Sequence, residues 1–100
     1  MNRFIMRQAQ ELQAKLAKAQ EELAQATIEV SAGGGAVKVT VNGQQEIQSV
    51  KISPDVVNPQ DVEMLEDLVL AAIKDAVTKS QELANKRMAT VTGGLKIPGM

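Results

Sequence analysis

The sequence predicts an α+β fold: a long helix, a three-stranded antiparallel β-meander and a second long helix. Three observations carry this. Apolar residues recur at helical spacing through the first quarter of the chain. They alternate with period two through the middle, then return to helical spacing beyond residue 58. A period of 3.6 marks a one-sided helix and a period of two marks a one-sided strand.

The first helix is expected over about Asn2–Ala26. Ile5, Ala9, Leu12, Leu16, Ala19, Leu23 and Ala26 follow alternating steps of four and three, a heptad seam held for about three repeats. Gln, Ala, Glu and Lys fill the remaining positions, and no Gly or Pro interrupts. Glu11–Lys15 and Lys18–Glu22 are spaced as (i, i+4) pairs, each contributing about 0.2–0.5 kcal/mol.

The strands come next. In TIEVSA, Ile28 and Val30 share one face; in AVKVTV, Val37, Val39 and Val41 do. Gly33-Gly34-Gly35 forms the loop between them. Asn42-Gly43 signals a tight type I′ turn, in which both central residues need positive φ. A third strand is expected over Glu46–Ser53 with Val50 and Ile52 inward. Ile47 is out of phase with that pair, which a bulge or a contact on the other face would explain.

Ser53-Pro54-Asp55 ends the strand. Asn58-Pro59-Gln60-Asp61 reads as a helix start, with Asn58 at the N-cap, Pro59 at the first helical position and Asp61 reaching back. The second helix is expected from about Pro59 to about Ala89. Val62, Leu65, Val69, Ala72, Ala76 and Leu83 mark its stripe, widened by Leu68, Ile73 and Val77, and Gly93-Gly94 stops it. The closing LKIPGM reads as an extended, mobile tail. No domain boundary or repeat interrupts residues 1–100, so one domain with a tail over about 93–100 is expected.

Composition narrows the function. The 100 residues contain no Cys, His, Trp or Tyr, and Phe4 is the only aromatic ring. Disulfides, thiolate or imidazole metal sites and Ser–His–Asp or Cys–His chemistry cannot be built. Stacking on nucleobases is nearly excluded. These absences point to an interaction protein, not an enzyme, and neither a metal site nor a small-molecule substrate is expected. No run approaches a membrane span, and MNRFIMRQAQ turns polar too soon for a signal peptide, so a cytoplasmic protein with no membrane partner is expected.

Other motifs have ordinary explanations. The glycine run precedes a strand, not a helix N-terminus, which fits a hairpin loop and not a phosphate loop. Glu63, Glu66 and Asp67 read as a solvated acidic face. The five Met residues are scattered and fit gap-filling or terminal positions.

Dimensions and charge add a lead. A helix of about 25 residues spans roughly 37 Å, whereas a short strand spans about 17–20 Å. Both helices must overhang the sheet, and an apolar seam in water needs a partner. A core of Val, Leu and Ala in so short a chain is marginal alone. A homodimer is therefore expected, with Ile5, Leu12, Leu16, Leu65 and Val69 as candidate interface residues. The formal charge is −1 overall but is sorted along the chain: net +3 over residues 1–20, −4 over 61–75 and +3 over 76–100. Acids at the start of the second helix suit its dipole; Arg3 and Arg7 at the start of the first do not. If the meander returns the second helix beside the first, Arg3, Arg7, Lys86 and Arg87 collect on one basic projection able to grip an anion. Lys15, Lys18, Lys79 and Lys96 are lesser members.

Taken together, these segments resemble the YbaB/EbfC family of bacterial nucleoid-associated proteins. GGGAVKVTVNG (Gly33–Gly43) is similar to its glycine loop, second strand and Asn-Gly turn. EMLEDLVLAAIKDA (Glu63–Ala76) is similar to the start of its last helix, QAQELQAKLAKAQEEL (Gln8–Leu23) to its first helix, and GGLKIPGM (Gly93–Met100) to its tail. The chain departs from the family in two places. Leu12 and Leu16 stand in a helix often rich in Met, and Ile73-Lys74 stands where a Phe-Asn pair is common. The resemblance implies a tweezer-like homodimer that binds double-stranded DNA, organises the nucleoid and affects transcription, without catalysis or cofactor. The alternative is a protein–protein adaptor that docks a partner through the overhanging helices or the C-terminal tail. The cationic residues named above are assigned from charge placement, since the family supplies no sharp binding motif.

Overall fold

A computed structural model describes residues 2–93. Residues 94–100 of the expected tail, Lys96 among them, lie outside these. The order is α1 (Arg3–Gln25), β1 (Thr27–Ala32), β2 (Val37–Asn42), β3 (Ile47–Ile52), a 3₁₀ turn (Pro54–Val56) and α2 (Val62–Thr92). This is the α+β arrangement read from the sequence. The molecule is elongated, 70 × 27 × 18 Å, because α1 and the last third of α2 project beyond the sheet.

The core is small and built from β-branched residues. Val30, Val37, Val39, Val41, Ala72 and Ala76 are buried together, with Ile28, Leu65, Leu68, Val69 and Ile73 packed around them. The alanines at 72 and 76 let α2 approach the sheet closely, and the valines of β2 fill the space on the other side. The glycine loop behaves as expected: Gly33, Gly34 and Gly35 all take positive φ.

Three local expectations are corrected. The β2–β3 connection is not a type I′ turn. Gly43 has no positive φ; Gln45 does, at 62°. The loop is longer than two residues and closes with the Asn42 N–H donating to the Glu46 carbonyl at 3.0 Å. Gly43 is required for a different reason. A Cβ there would lie 2.7 Å from Leu23 Cδ2 and 2.8 Å from the Leu23 carbonyl oxygen.

The start of α2 also shifts. Asp61, not Asn58, is its N-cap and accepts from Met64 N at 3.3 Å. Asn58 instead caps the preceding turn, accepting from Gln60 N at 2.9 Å. Pro59 and Gln60 occupy that turn, so the helix begins at Val62 and runs to Thr92, three residues past the expected end.

In β3, the pairing jumps between Thr40↔Ser49 and Val41↔Ile47, leaving Gln48 as a bulge. The bulge brings Ile47 onto the face shared by Val50 and Ile52, opposite Val41, Val39 and Val37. All three point to the inner face, as expected for Val50 and Ile52, but they are not buried. Val50 is 42% and Ile52 40% exposed. The reason is coverage: α2 lies over β1 and β2 and hardly touches β3.

Candidate nucleic-acid interface

Two projecting helices form an arm, and its base is a polar clasp. The turn after β2 sits between the helices and bonds to both. Gly43 N donates to the Leu23 carbonyl at 2.8 Å, Asn42 Nδ2 to the Ala24 carbonyl at 3.1 Å and Gln44 Nε2 to the Gln20 carbonyl at 3.0 Å. These three bonds hold the last turns of α1. On the other side, Ser80 Oγ of α2 donates to the Asn42 carbonyl at 2.6 Å and accepts from Gln45 N and Nε2, each at 3.0 Å. One donor and two acceptor sites complete the capacity of a hydroxyl. No buried side-chain nitrogen or oxygen among the described residues lacks a partner. Ser80 is the clasp residue that the sequence reading passed over. It continues the Ala72–Ala76 spacing by another four, so a polar residue at a core position was the available signal.

Beyond the clasp, α1 runs antiparallel to the end of α2. Ala19 and Leu23 are the buried residues of α1; Leu12 and Leu16 are half-buried and Ile5 is 60% exposed. A groove of about 510 Å3 opens between Ile5, Ala9 and Leu12 on one helix and Thr90 and Val91 on the other. Among the candidate interface residues, Leu65 and Val69 pack against the core of their own chain, while Ile5, Leu12 and Leu16 lie on the arm.

The cations are spread along the arm and not collected at one point. Lys15, Lys18 and Arg87 line a shared groove of about 210 Å3 with Glu22. Arg87 forms an ion pair with Glu22 across the two helices. Arg3 and Arg7 lie farther out on α1. Glu22 is five turns from Arg3, roughly 28 Å at 1.5 Å per residue. Arg3, Arg7, Lys15, Lys18 and Lys86 are exposed. Lys79 sits beside the clasp and pairs with Asp75 at 3.1 Å, which directs its charge along α2. Neither pair expected within α1, Glu11–Lys15 or Lys18–Glu22, is made, and Glu22 turns to Arg87 of α2 in place of Lys18.

The arm carries Glu11, Glu21 and Glu22 among its cations, but the densest run of acids sits elsewhere. Asp61, Glu63, Glu66 and Asp67 are exposed on the first turns of α2, beside the sheet. The arm is therefore cationic and the body anionic.

A family model described as the YbaB/EbfC DNA-binding family matches residues 1–95. The chain belongs to the YbaB/EbfC DNA-binding family. That family is a DNA-binding one and not a family of enzymes. A protein of Syntrophobacter fumaroxidans named nucleoid-associated protein is 55% identical over 95 residues, covering 95% of this chain and 86% of its own. One of Chloroflexus aurantiacus with the same name is 55% identical over 94 residues, covering 94% of each chain. The crystal structure of an uncharacterized protein from Helicobacter pylori superposes with a TM-score of 0.77 at 18% identity, covering 96% of this chain and 99% of that one; it supports the fold.

The two departures from the YbaB/EbfC pattern fall where they are tolerated. Ile73 packs against the core and Lys74 is exposed. Leu12 and Leu16 hold the arm seam in place of Met. Among the described residues, no helix is long and apolar enough to cross a membrane.

Proposed function

We propose that this protein is a nucleoid-associated homodimer that binds duplex DNA through its cationic arms, mainly on backbone phosphates. The family match over residues 1–95 carries the DNA-binding part of this reading. The exposure of the arm cations supports a set of contact residues. Arg3, Arg7, Lys15 and Lys18 are exposed along α1, and they lie on a projection that reaches clear of the acidic body. Lys86 adds to the same arm from α2. Local fields over about 10 Å let such an arm attract DNA although the whole chain carries a charge of −1.

A second copy is the partner for the uncovered apolar surface. Val50 and Ile52 on β3 and Leu70 on α2 are exposed. Patches of this kind on a small chain mark association surfaces. Two arms on one twofold body would present two cationic strips to one duplex. Packaging DNA in this way affects transcription through access to the template.

A salt titration tests the reading. The four α1 cations on each of two arms neutralise about eight phosphates, so log affinity should fall with log salt at a slope of roughly −7. Two duplexes of unrelated sequence should bind with similar affinity, because phosphate contacts carry no base information. Absence of any gel shift with duplex DNA at low salt overturns the proposal. Charge reversal at Arg3 and Arg7 separates it from an adaptor role: DNA binding should collapse, while docking of a protein through the helical seam would survive.

A further inference from the structure

Glu22 occupies an unusual position for an acid. It lines the arm groove with Lys15, Lys18 and Arg87, and it is the only acid among the residues lining that groove. Its carboxylate holds the Arg87 guanidinium across the gap between α1 and α2. Both side chains remain accessible, 40% and 43% exposed, so a solvated anion can reach them. A carboxylate on a guanidinium makes the same charge-assisted contact that a phosphate would make.

We infer that Glu22 is an internal competitor for the DNA backbone, masking Arg87 and limiting the affinity of the arm. This rests on the DNA-binding reading above and goes beyond it, because it assigns a restraining role to an acid. The pair is placed to act in this way for two reasons. First, Lys15 and Lys18 flank it on the same groove wall, so a phosphate drawn in by them meets Arg87 next. Second, Glu22 lies on α1 just before the clasped residues Leu23 and Ala24, so its backbone is held where it cannot swing away from Arg87. The competing carboxylate therefore stays within reach of Arg87 as a phosphate approaches.

Glu22→Gln removes the competing charge while keeping shape. The expected result is tighter binding of a duplex at about 0.1 M salt, on the order of tenfold, with a salt slope steeper by about 1.8 for two arms. Glu21→Gln makes the same change in net charge one residue away, where the described residues show no ion pair. It should change affinity by no more than about twofold, because screening weakens a charge that touches no phosphate-binding group. Adding Arg87→Ala to Glu22→Gln should erase the gain. Circular dichroism and thermal melting of each variant establish that the helices persist. Equal gains from Glu21→Gln and Glu22→Gln, or a gain that survives Arg87→Ala, overturn the inference while leaving DNA binding intact. Failure of the unaltered protein to bind any duplex overturns the functional reading, and this inference with it.

Discussion

Ser80 Oγ donates a hydrogen bond of 2.6 Å to the carbonyl oxygen of Asn42, tying the middle of α2 to the end of β2. Asn42 in turn bonds to α1 through Ala24. The two residues thus fix the angle at which the helical arm leaves the sheet. Hydrogen bonds do this better than apolar contacts, because they are directional and lose their value when the donor moves by a fraction of an ångström.

Ser80→Ala should destabilise the fold by about 1–3 kcal/mol. The substitution leaves the buried Asn42 carbonyl without this donor and takes an acceptor from the part-buried Gln45 N–H, while Gln45 Nε2 keeps the Gly43 carbonyl. Urea denaturation measures the change, and a midpoint equal to that of the parent would show that the clasp contributes nothing.

Two glycines should respond differently to alanine. Gly43→Ala drives a Cβ into the carbonyl oxygen and Cα of Leu23, backbone atoms that cannot rotate away. A loss of about 2–3 kcal/mol is expected, with the Gly43–Leu23 hydrogen bond broken. Gly34→Ala meets nothing within 4 Å, and only its positive φ of 69° opposes the side chain. A loss of about 1 kcal/mol follows. The order of the two melting temperatures checks the argument.

Arg3→Gln with Arg7→Gln should weaken DNA binding and reduce the salt slope by about 3.6 across two arms. Folding stability should not fall, since both cations sit at the positive end of α1, where the helix dipole disfavours them. A double variant with an unchanged slope would remove these residues from the contact surface.

Val50→Asp with Ile52→Asp should convert a two-chain species into a single chain, measured as native mass. Both positions are exposed in the isolated chain, so the helical circular dichroism should persist. A dimer that survives both charges would place the association surface elsewhere, with Ile5, Leu12 and Leu16 of the arm next in line.

Much of the architecture could be read from residue order. Val37, Val39 and Val41 alternate cleanly, and all three are fully buried. The seam of α1 and the stripe of α2 appear in the sequence because each helix has one wet face. The irregularity in β3 was readable too, since Ile47 breaks the phase that Val50 and Ile52 keep, but only the pairing chose a bulge over a contact on the other face. Capping was less legible. Asn58 and Asp61 are both good N-caps, and only the course of the chain through Pro59 decides between them.

The candidate site was legible in composition but not in geometry. A count of charges along the chain separates a cationic arm from an anionic body. It cannot say that Arg87 meets Glu22 while Lys18, spaced four residues before Glu22, does not. That choice depends on how far α2 runs beside α1, which is fixed by Gly43 lying against Leu23 and by Ser80 beneath Asn42.

The sequence by itself determined which segments are helix and strand, which faces are apolar and where the charges lie. These are local properties, set by the period of side chains along one element. Only the tertiary structure decided how the cations are spaced along the arm, which of them an acid restrains and which apolar face stays uncovered. Those outcomes depend on contacts between residues far apart in the chain, where a one-residue shift in the packing of two helices exchanges every partner.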